Sequence, residues 1–130
     1  PDIFAQIDKV DIDKGYFVQE KLDEKSLTND LDGLDKYVRE KNILYRTPTD
    51  KMNYMGLDIL TILYTEPDRI DILDNTPYET LKPKLKNFFD KLENAGFGIN
   101  DNFLGDLRIT NVGYDKAGEI KILDFNFDEL

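Results

Sequence analysis

Between Thr80 and Gly96 the apolar residues Leu81, Leu85, Phe88, Phe89 and Leu92 form the strongest helical stripe in the chain. This stripe predicts a helix, and the patterns on either side predict strands. Upstream, "IFAQIDKVDID" alternates from Ile3 to Ile12, "DKG" offers a tight turn at Asp13–Gly15, and "YFVQEKL" follows. Residues 2–22 are therefore expected to be two strands. Downstream, "RITNVGY" and "EIKILDF" are two short strand patterns joined by a "DKAG" hairpin turn. Pro83 must fall in the first turn of the central helix, because a proline in a helix interior costs about 3 kcal/mol. That places the start near Thr80, with "TPYE" as the preceding turn and Gly96 as the stop.

Two more helices are expected between residue 22 and this stripe. Leu27, Leu31, Leu34 and Val38 fall at helical spacing, with Ser26 or Thr28 to cap and Asn42 to terminate, which predicts a helix over 28–41. "MNYMGLDILTILYT", residues 52–65, puts Met52, Met55, Ile59 and Ile62 or Leu63 on one face. It reads as a helix, although "LDILTILY" also fits a strand. Pro67 closes it, and 66–77 is expected to be a polar loop. The order is strand, strand, helix, helix, helix, strand, strand. It describes one α+β, mostly helical domain over 1–130: a strand pair in 1–22, a helical part in 23–98, and a hairpin in 99–130.

Composition narrows the chemistry. Apolar residues make up 40% of the chain and 15 positions are Tyr or Phe, enough to fold a core despite 34% charged residues. The formal net charge of −10 repels phosphate backbones, so no nucleic-acid partner is expected. The densest cationic stretch, "KPKLKNFFDK" from Lys82 to Lys91, reads as a solvated helix face. No Cys and no His occur, which excludes disulfides, thiol nucleophiles, zinc held by imidazole or thiolate, and every His-based triad. What remains is carboxylates, amides, hydroxyls, Lys and Arg, a set suited to hard cations such as magnesium. No apolar run is as long as a membrane span, so no membrane partner and a cytoplasmic location are expected. The terminal "FDEL" is loosely like an ER-retention tail, but no signal peptide opens the sequence and it is discounted. A start at Pro1 rather than Met suggests a processed product or an excised fragment.

Three patterns could carry a ligand. "TNDLDGLDKYVRE" resembles a calcium loop, but with Gly33 at its sixth position the twelfth falls on Arg39, which cannot clamp a cation. Gly96 and Gly98 form "GFG" without a preceding strand or a following Lys–Ser/Thr pair, so they end a helix rather than form a phosphate loop. The third is "GDLRITNVGYDKAGEIKILDFNF": Asp106, Asn111 five residues on, and Asp124 after the hairpin. Phosphoryl transfer needs a carboxylate beside the attacking hydroxyl and oxygen ligands that hold magnesium against the phosphates. Taken singly, Asp106 and Asn111 could cap turns and Asp124 could end a strand.

On those residues the sequence resembles the C-terminal lobe of the protein-kinase-like fold. "LGDLRITN" stands where such kinases carry His-Arg-Asp-Leu-x-x-x-Asn, and "DFN" where they carry Asp-Phe-Gly, with Asp thirteen positions after Asn and a hairpin intervening. "YFVQEKLD", Tyr16 to Asp23, looks like the strand that runs into the adenine-binding hinge, and helix 81–95 stands where the long helix before the catalytic loop should be. The similarity covers most of the chain, but only the last 25 or so residues carry a specific motif. The "Gly-Asp-Leu" form is closer to aminoglycoside phosphotransferases and to small atypical or phage-type kinases than to typical protein kinases. The resemblance implies that Asp106 is the catalytic base, that Asn111 and Asp124 hold Mg2+, and that Phe125 packs Asp124 into place. It further implies that Gln19 is the gatekeeper and that Glu20 and Leu22 bind ATP through their backbone.

The departures matter as much. Leu104 replaces the usual His and can pack but not hydrogen-bond. Gly105 replaces Arg, so control by a phosphorylated activation loop is not expected, and Asn126 in place of Gly puts the mobility of that turn in doubt. No glycine-rich loop is present, and only ten residues separate Lys9 from Glu20, too few for a helix bearing a partner glutamate. The chain stops six residues after Asp124, short of an activation segment and a peptide-binding lobe. The expectation is a kinase-like domain or fragment whose small lobe comes from upstream sequence or another chain, inactive or weakly nucleotide-binding in isolation. Its acceptor is a protein or a small molecule. The alternative is a non-catalytic, pseudokinase-like interaction or structural protein.

Overall fold

The computed structural model describes residues 7–11, 16–19, 21–96 and 107–123, with side chains for the last two spans. Strands β1 (Ile7–Asp11) and β2 (Tyr16–Gln19) pair antiparallel, Val10 opposite Phe17 and Asp11 opposite Tyr16, with an irregularity between Ile7 and Lys9. The turn expected at Asp13–Gly15 lies outside the described residues.

Helix α1 (Glu24–Glu40) starts earlier than the expected 28. Its cap is Asp23, not Ser26 or Thr28. One Asp23 carboxylate oxygen accepts the Ser26 N–H at 3.0 Å and the other accepts the Ser26 hydroxyl at 2.7 Å. An ionised Asp is the stronger acceptor at a helix N-terminus, so Ser26 is used as its donor. The stripe Leu27, Leu31, Leu34 and Val38 is buried as the spacing requires. Asn42, at φ 58°, ends the helix, and the Ile43 and Leu44 N–H groups both fold back onto the Val38 carbonyl.

The single helix expected over 52–65 is two helices. Helix α2 (Pro48–Tyr54) opens with a Thr47–Asp50 capping box and a proline at its start. Helix α3 (Ile59–Thr65) opens at Asp58, which accepts the Leu60 N–H at 2.9 Å. Between them Gly56 takes φ 78°, a left-handed conformation that glycine adopts without strain. The Arg39 guanidinium fixes the break by donating to the carbonyls of Tyr54 at 3.2 Å and Leu57 at 2.8 Å. The two halves have separate phases, so Ile59, Leu60, Ile62 and Leu63 are buried while Met52 and Met55 are 75% and 70% exposed. Residues 66–77 are not a polar loop throughout. Pro67–Leu73 forms a 3-10 helix that buries Arg69, Ile70 and Leu73.

Helix α4 (Leu81–Asn94) follows its stripe, with Pro83 in the first turn and Gly96 beyond its end at φ 91°. Its lysines are partly paired: Lys82 reaches Asp71 at 2.8 Å and Asp74 at 2.9 Å, and Lys91 reaches Glu119 at 3.2 Å. Strands β3 (Val112–Tyr114) and β4 (Ile120–Ile122) form the expected hairpin around Asp115–Gly118, Val112 opposite Ile122. The first strand is shorter than expected, because Ile109–Asn111 is a 3-10 turn. One core joins α1, α3, α4 and the hairpin, and Phe88, Leu85, Leu63 and Val112 are buried in it. The described chain is α+β and mostly helical, with two two-stranded antiparallel sheets. Among the described residues no helix is long and apolar enough to cross a membrane.

Acid sensitivity follows from the capping carboxylates. Asp50 accepts N–H groups from Arg46 at 2.8 Å and Thr47 at 3.1 Å and the Arg69 guanidinium at 3.0 Å. Donation from Arg46 above all, with Arg69 and Thr47, holds its carboxyl below the ordinary value against a burial that works the other way. The Ser26 donors lower Asp23 in the same way. A carboxyl lowered on folding gives stability that is complete above its unfolded value, about 3.9, and is lost as pH falls through the folded value. Urea midpoints are therefore expected to stay level from neutral pH down to about 5 and to drop below about 4, with a shallower drop in Asp50→Asn.

Candidate functional site

The sequence singles out six residues. Asn111 and Leu22 are described with their side chains, Gln19 is the last residue of β2, and Glu20, Asp106 and Asp124 lie outside the described residues. Leu107, which follows Asp106 in the chain, and Leu123, which precedes Asp124, are described.

Asn111 ends the 3-10 turn that feeds β3, and its carbonyl accepts the Leu123 N–H at 2.7 Å. This bond extends the β3–β4 ladder by one step past Val112 and Ile122, so Asn111 sits across the hairpin from the residue that precedes Asp124. On the other side of β3, Asp23 and Tyr114 exchange both backbone hydrogen bonds, at 2.7 and 3.0 Å. That pairing sets Leu22 and Asp23 against β3. Gly113 permits the approach: a Cβ there would stand 2.8 Å from the Leu22 Cβ and 3.3 Å from the Glu24 nitrogen. Asn111, just before this short strand, thus lies opposite Leu123, and Gly113 within the strand packs against the buried Leu22.

Helix α3 holds the segment leading into Asn111. The Thr61 hydroxyl donates to the Leu107 carbonyl at 2.9 Å, and the second oxygen of Asp58 accepts the Ile109 N–H at 2.9 Å. The Asn111 N–H closes the turn onto the Arg108 carbonyl at 2.9 Å. Along this clamp runs an open groove of about 820 Å³, lined by Asp35, Arg39, Gly56, Leu57, Asp58, Thr61 and Arg108. The Arg39 guanidinium also donates to Asp35 at 2.8 Å, which places an ion pair on the groove wall. A shallower hollow of about 570 Å³ lies beside Leu22, between Lys21, Lys25 and Lys116.

The hairpin is also tied electrostatically. The Tyr114 phenol donates to Asp30 at 2.6 Å, and its burial, with that bond, pushes its pKa well above the usual phenol range. The Lys84 ammonium stands 4.6 Å over the same ring. At the turn, burial opposes the Asp115 charge, yet N–H groups of Glu119 and Ala117 and the Lys121 ammonium at 3.4 Å keep its carboxyl below the ordinary value. Among the described residues no three acidic side chains gather around one point.

Asp58 and Thr61 escape a reading of the sequence. An Asp just before the apolar run "ILTILYT" is a helix-start signature, hidden here by the expectation of one continuous helix. Their bonds to residues 46 and 51 positions away leave no local pattern.

Compared with known proteins, the chain matches no family model, no curated protein and no solved structure.

Proposed function

We propose that this chain is the nucleotide-side part of a kinase-like phosphotransferase that moves the ATP γ-phosphate to a hydroxyl acceptor. The supporting observation is the Leu123 N–H to Asn111 carbonyl bond at 2.7 Å, which sets Asn111 across the hairpin from the residue that precedes Asp124 in the chain. The donor set fits the ion: a carboxamide from Asn111 and a carboxylate from Asp124 are hard oxygens of the class magnesium takes. Bound there, the ion would supply charge neutralisation at the phosphates. Asp106 is the residue to orient the acceptor hydroxyl and take its proton. Gln19, Glu20 and Leu22 would supply the adenine edge, and the paired bonds of Asp23 with Tyr114 hold the residue after Leu22 against the hairpin. The 130 residues contain no glycine-rich loop to cover the phosphates, so binding by this chain alone is weak. A cytoplasmic location goes with use of ATP.

Thermal unfolding with magnesium–ATP tests the reading. Free nucleotide at ten times its Kd stabilises a folded chain by about 1.4 kcal/mol, which Asp124→Asn is expected to abolish. No rise in the wild type at millimolar nucleotide would favour a non-catalytic interaction protein instead.

A further inference from the structure

We infer that Asp58 and Thr61 are positioning residues for the loop that joins Asp106 to Asn111, an inference that rests on the phosphotransferase reading above. The two residues open α3, and neither spends its side chain on its own helix alone. Thr65, one turn on, shows the ordinary behaviour: its hydroxyl donates to the Thr61 and Ile62 carbonyls within the helix. The Thr61 hydroxyl instead crosses to the Leu107 carbonyl, directly after Asp106 in the chain. Asp58 divides its carboxylate, one oxygen capping α3 at Leu60 and the other holding the Ile109 N–H. Charge-assisted bonds of this kind are the stronger class and fix direction as well as distance.

The geometry of the loop makes these bonds decisive. The ladder with β4 begins only at Asn111, so it does not reach Leu107, Arg108 or Ile109. From Leu107 to Ile109 the backbone is held by α3, through one accepted and one donated bond on alternate residues. Helix α3 is itself seated by Arg39 of α1, which grips the Tyr54 and Leu57 carbonyls just before Asp58. Supporting bonds of this type set the alignment of the backbone they hold, here the run from Leu107, the residue after Asp106 in the chain, to Asn111.

Thr61→Val keeps the branched shape and removes the hydroxyl, while Thr61→Ser keeps the hydroxyl. Amide exchange in the full chain is expected to quicken at Ile109 and Asn111 in Thr61→Val and to stay unchanged in the core of α1 and α4. Its affinity for magnesium–ATP, read from the thermal shift, is expected to fall about tenfold and to return in Thr61→Ser. Asp58→Asn, which keeps the size of the side chain, is the second variant should Thr61→Val fold poorly. Lower stability in Thr61→Val with unchanged nucleotide affinity, beside a responsive wild type, overturns the positioning role alone. No response from the wild type overturns the phosphotransferase reading and the positioning role with it.

Discussion

Arg69→Ala is expected to destabilise the chain by about 2–4 kcal/mol, the combined cost of a buried carbonyl left without its donor and of the void a large buried side chain leaves. Arg69 is 6% exposed, and its guanidinium donates to the Leu44 carbonyl at 2.7 Å and to Asp50 at 3.0 Å and lies 5.1 Å from the Tyr54 ring centre. It joins three places that share no strand or helix: the chain after α1, the cap of α2, and the 3-10 helix that carries it. Alanine would leave the Leu44 carbonyl without this donor and a void beneath Tyr54. Arg69→Lys keeps the charge but not the fork that serves two acceptors at once, so it is expected to recover only part of the loss. Urea unfolding measures both. A loss below about 1 kcal/mol in Arg69→Ala would show that water reaches the site and that the charge is not buried in solution.

Gly113→Val is expected to cost about 2–3 kcal/mol, although valine favours strands. The added Cβ would meet the Leu22 Cβ at 2.8 Å and the Glu24 nitrogen at 3.3 Å, and the second of these is backbone at the start of α1 that cannot swing aside. Relief requires the Leu22–Asp23 segment to leave β3, which breaks the paired bonds between Asp23 and Tyr114. Two consequences are expected together: a lower urea midpoint, and a loss of any magnesium–ATP response beyond what the lower stability explains. Gly113→Ala should show the same pair of effects, smaller, since it adds only the Cβ. A valine variant as stable as the wild type would mean that the two segments are not in contact.

The particular residues show what a sequence can reveal of such a fold. The stripe of α4, the buried face of α1 and the β3–β4 hairpin were legible because each is decided within a dozen residues by periodicity or turn chemistry. For the same reason the approach of Asn111 to the chain before Asp124 was legible, since a hairpin fixes it. The break between α2 and α3 was missed because Met52 and Met55 match the phase of Ile59 by chance, and Gly56 with Asp58 outweighs that match. The 3-10 helix Pro67–Leu73 was missed because its composition is polar, and only the distant acceptors Leu44 and Asp50 make burying Arg69 tolerable. The clamp of Asp58 and Thr61 on the loop was invisible for a further reason. A hydrogen bond across some fifty residues depends on how three elements pack, which no local pattern encodes.

The proposed site stands on one convergence, that of Asn111 with the two aspartates on a divalent ion. Manganese, a paramagnetic substitute for magnesium, measures it directly by broadening the nuclear resonances of groups close to it. With manganese–ATP added to the wild type, the Asn111 side-chain amide signal is expected to broaden away at substoichiometric metal while amides in α2 stay sharp, and Asp124→Asn is expected to restore it. An Asn111 signal no more broadened than those of α2, or equally broadened in Asp124→Asn, would contradict the site.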